Sequence, residues 1–130
     1  MITSEDIALI IAEDLRGFGM QIYTKGHIPF KDIEKCGRIV ILPKTDDTGK
    51  YFDKCYVEVN FHLPDKNQEA DYRLDAIERQ AYDLFKKGKA GEYQDQWYNI
   101  SFSRKSREED SQLKSHYVHI QLLFEILNTL

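Results

Sequence analysis

The residues of this chain whose side chains suit metal binding or catalysis include two histidines near its end. His116 and His119 lie three residues apart in the apolar segment SHYVHIQLLFEILNTL. Residues three apart on a β-strand point to opposite faces, so these imidazoles cannot bind one ion from a regular strand. Apolar side chains alternate from Val118 to Ile126, which predicts a strand. The sequence therefore favours a structural role for both histidines over a metal site.

A second candidate for chemistry is an acid–base pair. Glu58 and His62 lie four residues apart on one face of another alternating segment, with Asn60 between them. A carboxylate and an imidazole on one face can exchange protons with a substrate held above the sheet. A polar, solvent-facing sheet surface explains the same residues without a substrate, and we favour that interpretation.

The other motifs that carry chemistry are missing from the sequence. Cys36 and Cys55 form neither a CxxC pair nor a zinc-finger spacing with histidine. The acidic runs Asp46-Asp47 and Glu108-Glu109-Asp110 lack the alternating oxygen ligands of a calcium loop. The chain has no glycine-rich phosphate loop and no GxSxG. We therefore expect a protein that is not an enzyme and that uses no cofactor and no metal.

Length and composition predict a single soluble domain spanning residues 1–130. The chain is 42% hydrophobic and 12% aromatic, which excludes a generally disordered protein. Its net charge of −4 is unlike the basic excess of DNA-coating proteins. No apolar run approaches the roughly 20 residues of a membrane helix, and the first residues do not form a signal peptide. Two cysteines are typical of a reduced, cytoplasmic protein.

Two amphipathic helices are predicted. The first covers residues 4–17, because Thr3 and Asp6 have the spacing of a capping box and isoleucines follow at helical intervals. The second begins after a cap at Asp65 or Asn67 and ends near Lys86, where positive charge and a glycine follow.

Five strands are predicted, giving the element order α-β-β-β-α-β-β. A polar turn over residues 44–50 joins the second strand to the third in a hairpin. Residues 89–96 are predicted to be a mobile polar loop, and residues 105–115 a solvated hairpin loop. We expect an α+β fold in which both helices pack on one face of a mostly antiparallel mixed sheet. The five strands are expected over residues 20–25, 38–42, 52–64, 97–104 and 116–126.

The order of elements resembles that of the tail terminator and tail completion proteins of long-tailed bacteriophages, also called minor tail or neck proteins. The resemblance rests on YVEVNFHLPDKNQEADYRLDAIERQAYDLF and WYNISFSRKSREEDSQLKSHYVHIQLLFEIL, and the pattern covers residues 5–127. It implies a hexameric ring that caps the tail tube and meets the head. The implied partners are other copies of the chain, tail-tube proteins and head-completion proteins. The implied location is the host cytoplasm before assembly and the virion tail afterwards.

Apart from Trp97, the residues predicted to contact such partners lie in or beside the two exposed segments, the turn over residues 44–50 and the loop over residues 105–115. Trp97 is expected to face outward, because alternation directs Tyr98 and Phe102 to the core. Tryptophan and arginine are frequent anchors of protein interfaces. A nucleic-acid-binding module is the alternative, but we favour protein contact because one outward aromatic offers little base stacking. The candidate contact residues are Trp97, Arg104, Lys105, Arg107, Lys44, Asp46 and Asp47.

Overall fold

In the part of the chain that the structure describes, the fold consists of two helices and a six-stranded mixed sheet. The computed structural model describes residues 2–24, 37–44, 54–64, 70–110 and 115–127. The strand order is β1-β2-β3-β6-β5-β4; β1 and β2 are parallel, and all other pairs are antiparallel. No described helix is both long and apolar enough to span a membrane. The elements are helices α1 (Ser4–Asp14) and α2 (Ala70–Phe85) and strands β1 (Gln21–Tyr23), β2 (Arg38–Lys44), β3 (Lys54–Pro64), β4 (Lys89–Tyr93), β5 (Gln96–Asp110) and β6 (Ser115–Leu127).

The predicted α+β class, the two helices and the mostly antiparallel mixed sheet are confirmed. The sheet has six strands where five were expected, and the extra strand is β4. The predicted hairpin of β2 and β3 forms with Ile41 opposite Val59. Strand β2 continues through Pro43, although the proline was expected to end it. Strand β1 pairs only with residues 38–40, so the missing N–H of Pro43 interrupts no described β1–β2 pair.

Helix α1 begins with the predicted capping box. The Thr3 hydroxyl accepts a hydrogen bond from the Asp6 N–H at 3.1 Å, and the Asp6 carboxylate accepts one from the Thr3 N–H at 2.9 Å. Two of the helix's unsatisfied N-terminal groups are thereby bonded. The helix ends earlier than expected, at Asp14, and a 3₁₀ turn over Arg16–Phe18 precedes Gly19, whose φ of +66° lies in the left-handed region.

The core lies between one face of the sheet and both helices. Strands β3 and β6 occupy the centre, and their alternating residues supply most of the sheet's apolar side chains. Helix α1 contributes Ile7 and Ile11, and helix α2 contributes Leu74 and Phe85 to the same cluster. Both helices therefore cover one face. The sheet residues of this cluster are Ile39, Ile41, Cys55, Val57, Val59, Phe61, Leu63, Ile100, Val118, Ile120, Leu122, Phe124 and Ile126.

Strand β4 was predicted wrongly as part of a loop. It pairs with the start of β5 through a two-residue turn, in which Gln94 and Asp95 have φ values of 48° and 63°. Such turns usually contain glycine or asparagine, so this one gives no strong sequence signal. The strand is held to α1 by polar contacts: Lys89 Nζ lies 2.6 Å from Asp14 Oδ1, and the Tyr93 hydroxyl donates to Asp6 at 3.2 Å.

The loop predicted over residues 105–115 was also wrong for residues 105–110 and 115, because β5 continues to Asp110 and pairs with β6 from Ser115 onward. Residues 111–114 of that prediction lie outside the described residues. A bulge between Phe102 and Arg104 shifts the register by one residue. Before the bulge, even-numbered residues such as Ile100 share the helix side with Phe124. After the bulge, the odd-numbered residues face the helices, because Lys105 lies opposite Ile120, whose side chain belongs to the core. The far half of β5 therefore presents charge to α2, and hydropathy alone did not indicate a strand.

The two faces of β6 predict different losses of stability when a leucine on each face is replaced by alanine. Leu122 is fully buried under the helices, whereas the adjacent Leu123 is only partly buried on the opposite face. We expect Leu122→Ala to lower the free energy of unfolding by about 2–5 kcal/mol through the cavity it leaves. Leu123→Ala should lower it by about 1 kcal/mol or less. Equilibrium urea unfolding of both variants measures this, and equal losses would contradict the assigned register.

The capping box predicts a pH dependence. The Thr3 backbone N–H, the Thr3 hydroxyl and the Tyr93 hydroxyl hold the pKa of Asp6 below its ordinary value of 3.8. A depressed folded pKa contributes stability above the unfolded pKa, and this stability disappears as pH falls through the folded pKa. Asp6→Asn should therefore be less stable than wild type at neutral pH, with a difference that shrinks below pH 3.8. Urea titrations across this range test it, with exposed Glu92→Gln as control; a difference independent of pH would refute it.

Candidate functional site

The sheet face opposite the two helices, here called the open face, is the candidate functional surface. Its side chains alternate with those of the core and align in rows across β2, β3, β6 and β5. One row contains Val40, Asn60, His119 and Ser106, and the adjacent row contains Glu58, Gln121 and Arg104 among its members. Neither described helix packs on this face. Arg38, Val40 and His62, at one corner of the face, are buried, so the parts of these rows on β3, β6 and β5 are where a ligand or partner can meet the sheet.

One end of the open face carries large apolar side chains that solvent reaches. Trp97 is 49% exposed and lies opposite Leu127, which is 46% exposed. Tyr56 is 47% exposed and lies opposite Leu123. We call Tyr56, Trp97, Leu123 and Leu127 the apolar strip; the row of Lys54, Glu125 and Asn99 lies between its two pairs. An exposed apolar cluster with polar surroundings is typical of a protein interaction surface.

A polar concavity of about 440 Å³ occupies the middle of the open face. His119 Nδ1 lies 2.7 Å from the Asn60 amide oxygen, and this contact fixes the orientation of the imidazole. The Ser106 hydroxyl donates to Glu108 at 3.0 Å. The concavity therefore offers donors, acceptors and charges of both signs to polar groups of a bound molecule. Its lining includes Glu58, Asn60, Arg104, Ser106, Tyr117 and His119.

The acid–base pair considered from the sequence is only partly brought together. Glu58 and Asn60 line the concavity, but His62 does not. The imidazole of His62 stacks on Tyr117 at a centroid distance of 4.4 Å, and the residue is only 7% exposed. The expectation that His62 faces solvent was therefore wrong. The histidine nearest the Glu58 row is His119, in the adjacent row of β6.

The two histidines of β6 point to opposite faces, as predicted. His119 contacts Asn60 on the open face, while His116 lies opposite Leu63, whose side chain belongs to the core. Within the described ranges, no group of three or more histidine, cysteine, aspartate or glutamate residues is placed to hold a metal ion. Cys55 lies on the core side, and burial raises the pKa of its thiol to about 11, so it stays protonated at neutral pH.

The predicted contact residues separate into three groups. Trp97 and Arg104 are exposed on the open face, as a contact role requires. Lys44 also lies near this face, with its ammonium 3.5 Å from Glu58. Lys105 and Arg107 are instead turned towards α2. Asp46 and Asp47 lie outside the described residues.

Lys105 and Arg107 form an ion-pair network with helix α2. Lys105 Nζ lies 3.0 Å from one Glu78 oxygen, and Arg107 Nε lies 3.3 Å from the other. Arg107 also pairs with Asp75. Two of the cationic candidate contact residues, Lys105 and Arg107, are therefore already neutralised within the chain. The network holds the far end of β5 to the helix, a role that the sequence did not suggest.

Sequence reasoning found Trp97 but missed the rest of the apolar strip. The available signal was an apolar residue at a polar position of an alternating strand, namely Leu123 and Leu127 on β6 and Tyr56 on β3. Only the register shows that Leu127 lies opposite Trp97 and that Leu123 and Tyr56 lie two rows away at the same end of the sheet.

Comparisons with known proteins bear on the fold. No protein-family model matches the chain, and no curated protein matches it. Among seven matching solved chains, one whose printed name describes no activity has a TM-score of 0.63 at 12% identity. The alignment covers 100% of this chain and 99% of that chain. At this identity the likeness shows a shared fold from end to end and nothing about activity.

The ion-pair network predicts a modest, salt-dependent contribution to stability. Glu78→Gln removes a carboxylate shared by Lys105 and Arg107, and we expect it to lower the free energy of unfolding by about 1 kcal/mol at low salt. The matched control is Asp83→Asn on the same helix. The pair of Asp83 with Lys86 is more exposed and should contribute only about a few tenths of a kcal/mol to the free energy of unfolding. Urea unfolding at low and high salt compares them, and equal effects would count against the network.

Proposed function

We propose that this chain is a structural assembly protein of a bacteriophage or prophage tail, of the tail terminator and completion type. The observation that carries the proposal is the apolar strip: two pairs of large apolar side chains at one end of a sheet face that neither described helix covers, with the row of Lys54, Glu125 and Asn99 between the pairs. Exposed apolar surface is unfavourable in water, and burial against another protein recovers about 25 cal/mol per Å². Such a strip suits a subunit that completes its packing only in an assembly.

The strip has the composition of an interface centre. Trp97 and Tyr56 supply large, rigid contact area, and Leu127 and Leu123 lie opposite them on β6. Interfaces place such residues at their middle and polar residues around them. Here the polar concavity borders the strip on the same face, since Arg104 and Gln121 lie one row beyond Leu123. Together they form a surface with an apolar part and a hydrogen-bonding part.

The proposed partners are other copies of this chain, tail-tube proteins and head-completion proteins. In a head-to-tail ring each copy presents two different surfaces, and the last contact closes the ring. The apolar strip is one of these surfaces, and it meets a second surface of the neighbour or the end of the tube. The protein would stay in the host cytoplasm until assembly and then form part of the virion tail.

The nucleic-acid alternative has less support in the geometry. Single-stranded nucleic acids bind where exposed aromatic rings lie beside unpaired cations. Trp97 and Tyr56 are exposed, but Lys105 and Arg107 are paired with α2, and Lys44 is paired with Glu58. Salt-sensitive binding of single-stranded oligonucleotides that Trp97→Ser abolishes would favour this alternative over tail assembly.

The proposal predicts that assembly depends on the apolar strip. Deletion of the gene from the phage or prophage genome that encodes it should leave heads and tails unjoined in electron micrographs of lysates. The wild-type chain should restore joined particles. The double variant Trp97→Ser, Leu127→Ser should reduce them at least about tenfold, because it removes two apolar anchors.

The control for this experiment is Leu9→Ser, which removes a side chain that is 52% exposed on helix α1, on the other side of the molecule. It should restore joined particles as well as the wild type does. Circular dichroism of each purified variant verifies that the fold is intact. Normal particles from the deletion, or full restoration by the strip variant, would contradict the proposal.

A further inference from the structure

Over most of its length, the outer edge of β5 pairs with no strand among the described residues. Strand β4 pairs with β5 only up to Ile100, opposite Lys89. From residue 101 to 110, β5 pairs with β6 on its inner side, and no other described strand pairs with its outer side. Half of the backbone N–H and C=O groups of this segment therefore point away from the sheet. Such an edge accepts an extended strand.

Charge usually protects an edge of this kind, but here part of that protection is neutralised. Lysine and other charges on an edge strand repel a second copy of the same edge. Lys105 and Arg107 are paired with Glu78 and Asp75 of their own helix, so their net repulsion is reduced. The bulge between Phe102 and Arg104 lies near the start of the segment, and the register with β6 is regular from Arg104 to Asp110.

Arg104 and Glu108, two charged residues on the open face of this segment, are complementary. Arg104 and Glu108 are both exposed, and neither forms an ion pair with another residue in the described part of the chain. They lie two residues before and two residues after Ser106. An antiparallel copy of the segment centred on Ser106 would therefore place each Arg104 opposite a Glu108 of the other copy.

We infer that two copies of this chain pair through the outer edges of β5, antiparallel and centred on Ser106. Directly opposed residues of antiparallel strands point to the same face, and 104, 106 and 108 all lie on the open face. Both Arg104–Glu108 pairs then form on that face, and the two small Ser106 side chains meet at the two-fold axis. On the helix side this register places Lys105 opposite Arg107 of the other copy, and their pairs with Glu78 and Asp75 offset this like charge. Parallel pairing in register would also oppose Arg104 with Arg104 and Glu108 with Glu108.

This inference does not rest on the proposed tail function. Pairing of identical edges is an isologous contact, which closes at two copies. The head-to-tail contact of a ring needs other surfaces, such as the apolar strip. Trp97→Ser with Leu127→Ser should therefore leave this dimer intact, and either claim can fail alone.

Charge exchange tests the pairing. Sedimentation equilibrium should show a concentration-dependent dimer for the wild type. Arg104→Glu makes all four facing charges negative, and Glu108→Arg makes them all positive, so each variant should raise the dimer dissociation constant at least about tenfold. An equimolar mixture of these two variants should form a heterodimer, and the double exchange R104E/E108R should dimerise like the wild type.

Cysteine cross-linking tests the register, in a background with Cys36 replaced by serine. Ser106→Cys should give an oxidised dimer, because opposed residues of paired strands lie within disulfide reach. Ser101→Cys, five residues along the same strand, is the matched control and should stay monomeric under denaturing conditions without reductant. Circular dichroism confirms that every variant is folded.

The contrary outcomes are distinct. A wild type that remains monomeric at the highest attainable concentration would overturn the inference. So would single charge variants that dimerise as tightly as the wild type, a mixture that fails to associate, or Ser101→Cys cross-linking as efficiently as Ser106→Cys.

Discussion

The structure depends on the antiparallel pairing of β3 with β6, which keeps one register from Lys54 opposite Glu125 to Pro64 opposite Ser115. Alternation along both strands directs one set of side chains under the helices and the other set to the open face. A slip of one residue would move each set to the wrong face. Phe61 and Val118, both fully buried, are opposed in this register, and so are Asn60 and His119 on the other face. Core and candidate site are therefore fixed by the same pairing.

The bulge in β5 has a comparable effect on the charged end of the sheet. Without the extra residue, Arg104 would share the helix side with Ile100, and Lys105 would face away from Glu78. The bulge reverses both orientations: Lys105 reaches α2, and Arg104 joins the open face. One inserted residue thus supplies the ion pairs that hold the helix and the cation available for contact.

Sequence reasoning succeeded where apolar periodicity determines structure. The alternation of β3 and β6 and the helical spacing of α1 were sufficient because each pattern buries one face. It failed at β4 and at the far half of β5, which are held by polar partners distant in the chain, such as Asp14 for Lys89 and Glu78 for Lys105. For the site, alternation alone placed Trp97 outward, but its neighbour Leu127 lies 30 residues away and is found only through the register.

The open face and the β5 edge are geometrically compatible as two separate contacts. A two-fold axis through Ser106 of paired edges is perpendicular to the sheet, so both open faces point the same way. The apolar strip lies at the Trp97 end of β5, away from this axis. In the inferred dimer the two strips therefore lie at opposite ends of one continuous surface, each free to bind another protein. Edge pairing would extend the open face without covering it. One fold can therefore present both an edge contact that closes at two copies and an apolar strip that contacts a further protein.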